Sequence, residues 1–216
     1  MRFKIKLLCF FVLVLLICIT GASANNSIPS QLNFSIGSIS TNYKENEDSL
    51  KPTDGSPSTT TAPYSGTASS MPFAISYEFF PGLSKSYFGR ASGPIMGSSP
   101  DRYYNASIGI NFYFGQVASQ AIIKDTNFEM KVLPKLRYYA GPAIGLGYLV
   151  YNTKSATKND ILFEIGGQGG VLYTLNPKWA VTGELGAARA IGSLTSATVI
   201  KILIGTSYTL DIWATK

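Results

Sequence analysis

The sequence predicts an all-β fold, a closed antiparallel up-and-down transmembrane β-barrel of eight strands. Three observations lead there. Apolar residues recur with a period of two, as in "ILFEIGGQGGVLYTLNPKWAVTGEL" (161–185), and successive side chains of a strand leave opposite faces. The connections between such runs alternate between long and short. The less apolar parity carries small residues with a few charges, and not the long polar side chains of a water-facing sheet.

The chain opens with Arg2, Lys4 and Lys6, continues with the apolar run Leu7–Ile19, and reaches Gly21-Ala22-Ser23-Ala24. A charged start, an apolar centre and a small-x-small end predict a signal peptide over 1–24, cleaved after Ala24. The thirteen-residue run falls short of the roughly 20 residues that a spanning helix needs. Leu16-Ile17 is bulky before Cys18, against lipoprotein processing. Both cysteines, Cys9 and Cys18, lie in this segment, so the remainder has none and no disulfide. Removing three of the 18 basic residues leaves 15 against 12 acidic ones, a net of +3, which offers little to a nucleic-acid partner.

Residues 25–216 are expected to form the barrel. The strand-like runs are Leu32–Tyr43, Pro72–Phe80, Ser84–Ser92, Tyr103–Phe114, Lys135–Tyr151, Asp160–Leu175, Trp179–Ala190 and Ala197–Trp213. Several reach the roughly 9–11 residues with which a tilted strand crosses a bilayer. Segment 44–70 is rich in Ser, Thr, Pro and charge and reads as a long disordered outer loop. Pro81-Gly82-Leu83 and Asn176-Pro177-Lys178 read as tight turns at the opposite, periplasmic end. Gln116–Leu133 breaks the alternation: it stands where a short turn is expected and has room for a helix or for extensions of its neighbours. The glycines of Gly166-Gly167-Gln168-Gly169-Gly170 lack the Lys-Ser/Thr pair of a phosphate loop and read as close-packed barrel wall.

Parity sorts the charges. Leu32, Phe34 and Ile36, then Phe73, Ile75, Tyr77 and Phe79, begin an apolar face that continues through Ile108, Ile110, Ile144, Phe163, Ile165, Ile200 and Ile202. Lys85 and Arg189 alone interrupt it, near strand ends. The other parity holds Glu78, Arg90, Arg137, Glu164, Glu184, Lys201 and Asp211 among small residues. An eight-stranded barrel has an interior just wide enough for side chains to fill it, and unpaired charges there are costly. The apolar face is therefore expected outside, and Arg90, Glu164, Glu184 and Lys201 are expected to form a lumen ion-pair network. Aromatic residues gather at both strand ends, with Phe79, Phe80, Phe112, Phe114, Tyr138, Tyr173, Trp179, Tyr208 and Trp213 at one and Tyr43, Tyr103, Tyr104, Tyr148 and Tyr151 at the other. Such residues form the interface belts of membrane barrels.

With its leader, its alternation and the hairpin "YTLNPKWAVTGELG", the chain over about residues 30–213 resembles the small eight-stranded outer-membrane proteins of the OmpA and OmpX kind. Where such barrels end in an aromatic residue, this one ends "SYTLDIWATK". The resemblance implies the outer membrane of a Gram-negative bacterium, with outer-membrane lipid and the barrel-assembly machinery as partners, and a surface ligand that it does not specify.

The enzymes built on small barrels rely on histidine, and this chain has none. That excludes Ser-His and Asp-His catalysis and, without cysteine after residue 24, most zinc and thiol chemistry. Glu164 and Glu184 are the remaining carboxylate pair, and lumen ion pairing accounts for them. No catalytic residue, cofactor or metal is expected. The leading reading is a non-enzymatic envelope or surface protein. A narrow pore or apolar-ligand conduit, and a secreted lipocalin-like barrel, are the alternatives.

Overall fold

The computed structural model describes residues 29–46, 63–82, 84–97, 100–115, 121–125, 128–132, 134–153, 156–211 and 213–215. The strands are β1 (Ser30–Glu45), β2 (Ser65–Phe79), β3 (Lys85–Gly97), β4 (Arg102–Phe114), β5 (Ala121–Asp125), β6 (Phe128–Val132), β7 (Leu136–Asn152), β8 (Thr157–Thr174), β9 (Trp179–Gly192), β10 (Thr195–Asp211) and β11 (Trp213–Thr215). Eight of them close into one antiparallel barrel in the order β1-β10-β9-β8-β7-β4-β3-β2. Closure pairs β1 with β10 from Ser30↔Asp211 to Glu45↔Thr195, so the wall has no open edge. The expected fold class is what the chain adopts.

Turn chemistry sets the hairpins. At the end of β8 the side chain of Asn176 accepts from the backbone N–H groups of Lys178 and Trp179, both at 2.9 Å, and Leu175 N–H bonds Trp179 C=O at 2.9 Å. Chain exit from β4 passes through Gly115, whose φ of 72° suits a residue without a Cβ. Gln116–Leu133 is where the expected count is extended: β5 and β6 pair as a hairpin, and β11 adds parallel to β5 through Trp213↔Ala121. This separate three-stranded sheet lies outside the barrel ring, and the wall keeps eight strands.

Several strands run further than expected. Strand β1 runs on to Glu45 and β2 begins at Ser65, with Lys44↔Ser65 and Thr41↔Ala68 in register. The supposed loop 44–70 therefore gives up its ends to a hairpin that is polar outside, where alternation leaves no apolar signature. Likewise β3 continues to Gly97, five residues past the expected end at Ser92. Segments 1–24 and 47–62, where a leader and the middle of a long loop are expected, lie outside the described residues.

Parity falls as expected. Phe163, Ile165, Leu185, Ile202 and Ile204 are exposed on the outer wall, while Leu162, Glu164, Glu184 and Leu203 are buried inside. The inside is less polar than the sequence suggests. A cluster of Ile39, Leu149, Leu162, Val199, Tyr103 and Tyr151 fills the upper lumen, and Phe80, Tyr113, Tyr139, Leu172 and Ala180 fill the lower.

Candidate functional site: a charged lumen between two apolar plugs

Between these plugs the side chains that alternate inward on neighbouring strands meet across the barrel. At the lowest level Glu78 of β2 is buried and accepts from five neutral side chains: Gln31 at 2.7 Å, Asn111 at 2.9 Å, Tyr113 at 2.8 Å, Asn33 at 3.5 Å, and Ser86. A carboxylate so solvated by fixed donors exchanges water hydrogen bonds for protein ones, which makes its burial tolerable.

One level up, Arg90 of β3 reaches across to β9. Its Nη2 donates to Glu184 Oε2 at 2.6 Å and its Nη1 donates to Glu184 Oε1, a bidentate pair. Tyr139 OH donates to Glu184 Oε2 at 2.8 Å. Arg90 also donates to Gln168 Oε1 at 3.1 Å, and Gln168 Nε2 passes the chain to Asn111 Oδ1 at 3.0 Å, which joins this level to that of Glu78. Above it Lys201 Nζ of β10 lies 3.0 Å from Glu164 Oε2 of β8. Glu164 Oε1 accepts from Asn105 Nδ2 at 2.6 Å and from Tyr103 OH.

The structure thus brings Arg90 to Glu184 and Lys201 to Glu164, all four in the lumen. The residual space among them is a water-sized cavity of about 20 Å³. Sequence reasoning missed the neutral partners. Tyr103, Asn105, Asn111, Tyr139 and Gln168 are as much part of the network as the four ions, and all lie on the inward parity, which was the signal available.

The aromatic belts require a correction at the upper end. Tyr104 and Tyr148 face outward as a pair, with ring centroids 6.3 Å apart. Tyr43, Tyr103 and Tyr151 instead point inward and are buried. Phe80, placed in the lower belt, is buried in the lower plug. Tyr43 and Tyr151 lie 5.1 Å apart by centroids, and Tyr64 stacks on Tyr151 at 6.4 Å, so three rings lid the mouth.

Carboxylates anchor this mouth. Glu45 pairs with Lys158 at 2.7 Å and accepts from Tyr151 OH at 3.1 Å. Asp101 accepts from Tyr43 OH at 2.7 Å and from Asn152 N–H at 2.9 Å. Asp160 accepts from Leu194 N–H at 3.0 Å, Thr195 N–H at 2.8 Å and Ser193 Oγ at 3.1 Å, which fixes the β9–β10 turn. On β1 the outward residues above Ile36 are Ser38, Ser40, Asn42 and Lys44, so Glu45 stands beyond the apolar band of the wall. Burial pushes its carboxyl up, but Lys158 and Tyr151 outweigh burial and hold it below the usual carboxylate value. Among the described residues no group of three or more His, Cys, Asp or Glu is placed to hold a metal ion.

Charge is sorted by face. Every carboxylate whose side chain is described is buried: Glu45, Glu78, Asp101, Asp160, Glu164 and Glu184. Lys44, Lys85, Arg102, Lys135, Lys178 and Arg189 are all exposed.

The chain matches no family model and no curated protein. Solved structures do resemble it. Neisserial surface protein A is 11% identical, with 81% of this chain and 96% of that one covered at a TM-score of 0.43. Ail, the attachment invasion locus protein of Yersinia pestis, is 10% identical over 84% of this chain and 99% of that one, at a TM-score of 0.43. The N-terminal β-barrel domain of Pseudomonas aeruginosa OprF is 8% identical over 80% and 97%, at 0.44. The likeness is one of fold alone.

Proposed function

We propose that the chain is an integral outer-membrane barrel protein of a Gram-negative bacterium, without enzymatic activity, that serves envelope structure or surface interaction. In this reading segment 1–24 directs export, the barrel-assembly machinery inserts the product, and 25–216 is the mature protein. The observation that carries it is the sorting of the wall: exposed Phe, Ile and Leu outside, with ion pairs and carboxylates inside. In water such an outer face would far exceed the apolar patches of a soluble protein. In lipid it is the favoured face, and closure of the ring leaves no strand edge to be covered. Plugs above and below the ion pairs support a structural role over a pore. The mouth, where Glu45, Asp101 and Asp160 anchor the loops, is the part that faces the cell surface.

The test is carbonate extraction of membranes followed by planar-bilayer recording of the purified barrel. The protein is expected to stay in the membrane pellet and to give no stable conductance steps. Release into the wash would favour a soluble ligand-binding barrel, and ohmic steps would favour a pore.

A further inference from the structure

The lower outer wall has a dent that the function above does not use. Register between β4 and β7 runs from Arg102↔Val150 to Gly109↔Ala143 and resumes at Phe112↔Ala140, skipping Ile110 and Asn111. Opposite them stands Pro142, which has no N–H to give to the ladder. On its other side β7 pairs with β8 without a break, Pro142↔Gly167 included, so the interruption is confined to the β4 side. The result is an almost wholly apolar groove of about 460 Å³, lined by Tyr77, Tyr87, Gly89, Ile108, Pro142 and Ile144. Gly89, opposite Tyr77 in register, leaves the floor without a side chain.

Lys85 stands at one end of this groove. Its ammonium lies 5.9 Å from the centroid of Tyr87, a lining ring, and the side chain is exposed. Lys85 is level with Phe112 on β4 and Gly89 with Ile108. The groove thus rises about four residues, roughly 13 Å at ~3.3 Å per residue, from the lysine toward the middle of the wall. That is less than half of a hydrocarbon core ~30 Å thick, the depth of one leaflet. No carboxylate whose side chain is described lies on the outer wall to compete for Lys85.

We infer that the groove holds one acyl chain of an anionic phospholipid of the periplasmic leaflet, with its phosphate on Lys85. The inference rests on the reading that the apolar band lies in lipid with the short turns toward the periplasm. A chain seated here fills a gap that straight annular lipid leaves empty, and the lysine selects the headgroup by charge.

Native mass spectrometry of the barrel released from nanodiscs tests this. The discs contain equal phosphatidylglycerol and phosphatidylcholine with identical chains. The wild type is expected to retain one phosphatidylglycerol, preferred roughly fivefold, the effect of one lysine near an anionic surface. Gly89→Leu fills the floor and should abolish retention of either lipid. Lys85→Gln should keep retention and lose the headgroup preference, while Lys178→Gln at another strand end should change neither. Retention that is unaltered by both Gly89→Leu and Lys85→Gln, or a dimer in place of bound lipid, overturns the site. Displacement of that lipid when lipid A is added to the discs overturns the leaflet assignment. A wild type that never enters the discs overturns the membrane reading itself, which separates the two failures.

Discussion

Consider Lys201→Met. Lys201 and Glu164 are both buried and 3.0 Å apart, and the substitution keeps the length of the side chain while deleting its charge. Glu164 then keeps Tyr103 and Asn105 on Oε1, but Oε2 loses its cation. Removing one partner of a buried pair costs about 3–5 kcal/mol, and two surviving donors place this case near 3. Arg90→Met is harsher. Glu184 loses partners on both oxygens and, among the described residues, keeps Tyr139, while Gln168 loses a donor, so the cost should approach 5 kcal/mol. Deleting both members, as in Lys201→Met with Glu164→Leu, should cost less than either single change at that pair, because no charge is left uncompensated. The assay is urea unfolding of the reconstituted barrel followed by tryptophan emission, comparing midpoints. Equal midpoints for the wild type and both single variants would refute the network, and so would a larger loss for Lys201→Met than for Arg90→Met.

On the outer wall, Ile202→Arg or Ile108→Arg should hinder insertion by about 2–4 kcal/mol near the midplane, read from folding yields into vesicles. An outward residue at the upper edge of the band, such as Asn42→Arg, which pairs with Thr198 and through it lies level with Arg189, should insert almost normally, and equal yields at all three would mean the outer wall is not in lipid. At the mouth, Glu45 has a lowered pKa in the folded protein, so its contribution is present above the unfolded value of 4.5 and is lost as pH falls below it. Lys158 is partly exposed, so the effect is small, under about 1 kcal/mol. It should appear as an acid-side fall in the midpoint that Glu45→Gln abolishes, and an identical pH profile in that variant would exclude the linkage. For orientation, an epitope inserted after Asp54 should bind antibody on intact cells. Binding only after the outer membrane is opened would reverse the topology.

The barrel and the inward parity of Arg90, Glu164, Glu184 and Lys201 were legible because an apolar outer wall and a packed lumen demand opposite residue types at a spacing of two. Arg90 and Glu184 sit on distant strands, yet both have inward parity and long side chains in a lumen narrow enough to be crossed. The inward turn of Tyr43, Tyr103 and Tyr151 was also written in parity, since each falls on the face of Thr41, Asn105 and Leu149. Their end-of-strand position suggested a belt, and a tyrosine suits either place because it joins an apolar ring to a hydroxyl. The extra length of β1 and β2 gave no such signal, as the outward residues of Ser38–Lys44 and Ser65–Ser69 are polar and leave no apolar alternation to read. Pairing of β11 with β5 joins segments some ninety residues apart through short runs, which periodicity alone does not locate.

Whether the apolar wall meets lipid is settled most directly by one quenching experiment. A single tryptophan at Phe163→Trp, with Trp179 and Trp213 replaced by phenylalanine, reports from an outward position that is half exposed in the protein alone, at 51%. In vesicles whose acyl chains carry bromine, its emission should fall strongly, and aqueous iodide should leave it unchanged. Quenching by iodide with none by bromine would place that face in water and contradict a membrane barrel.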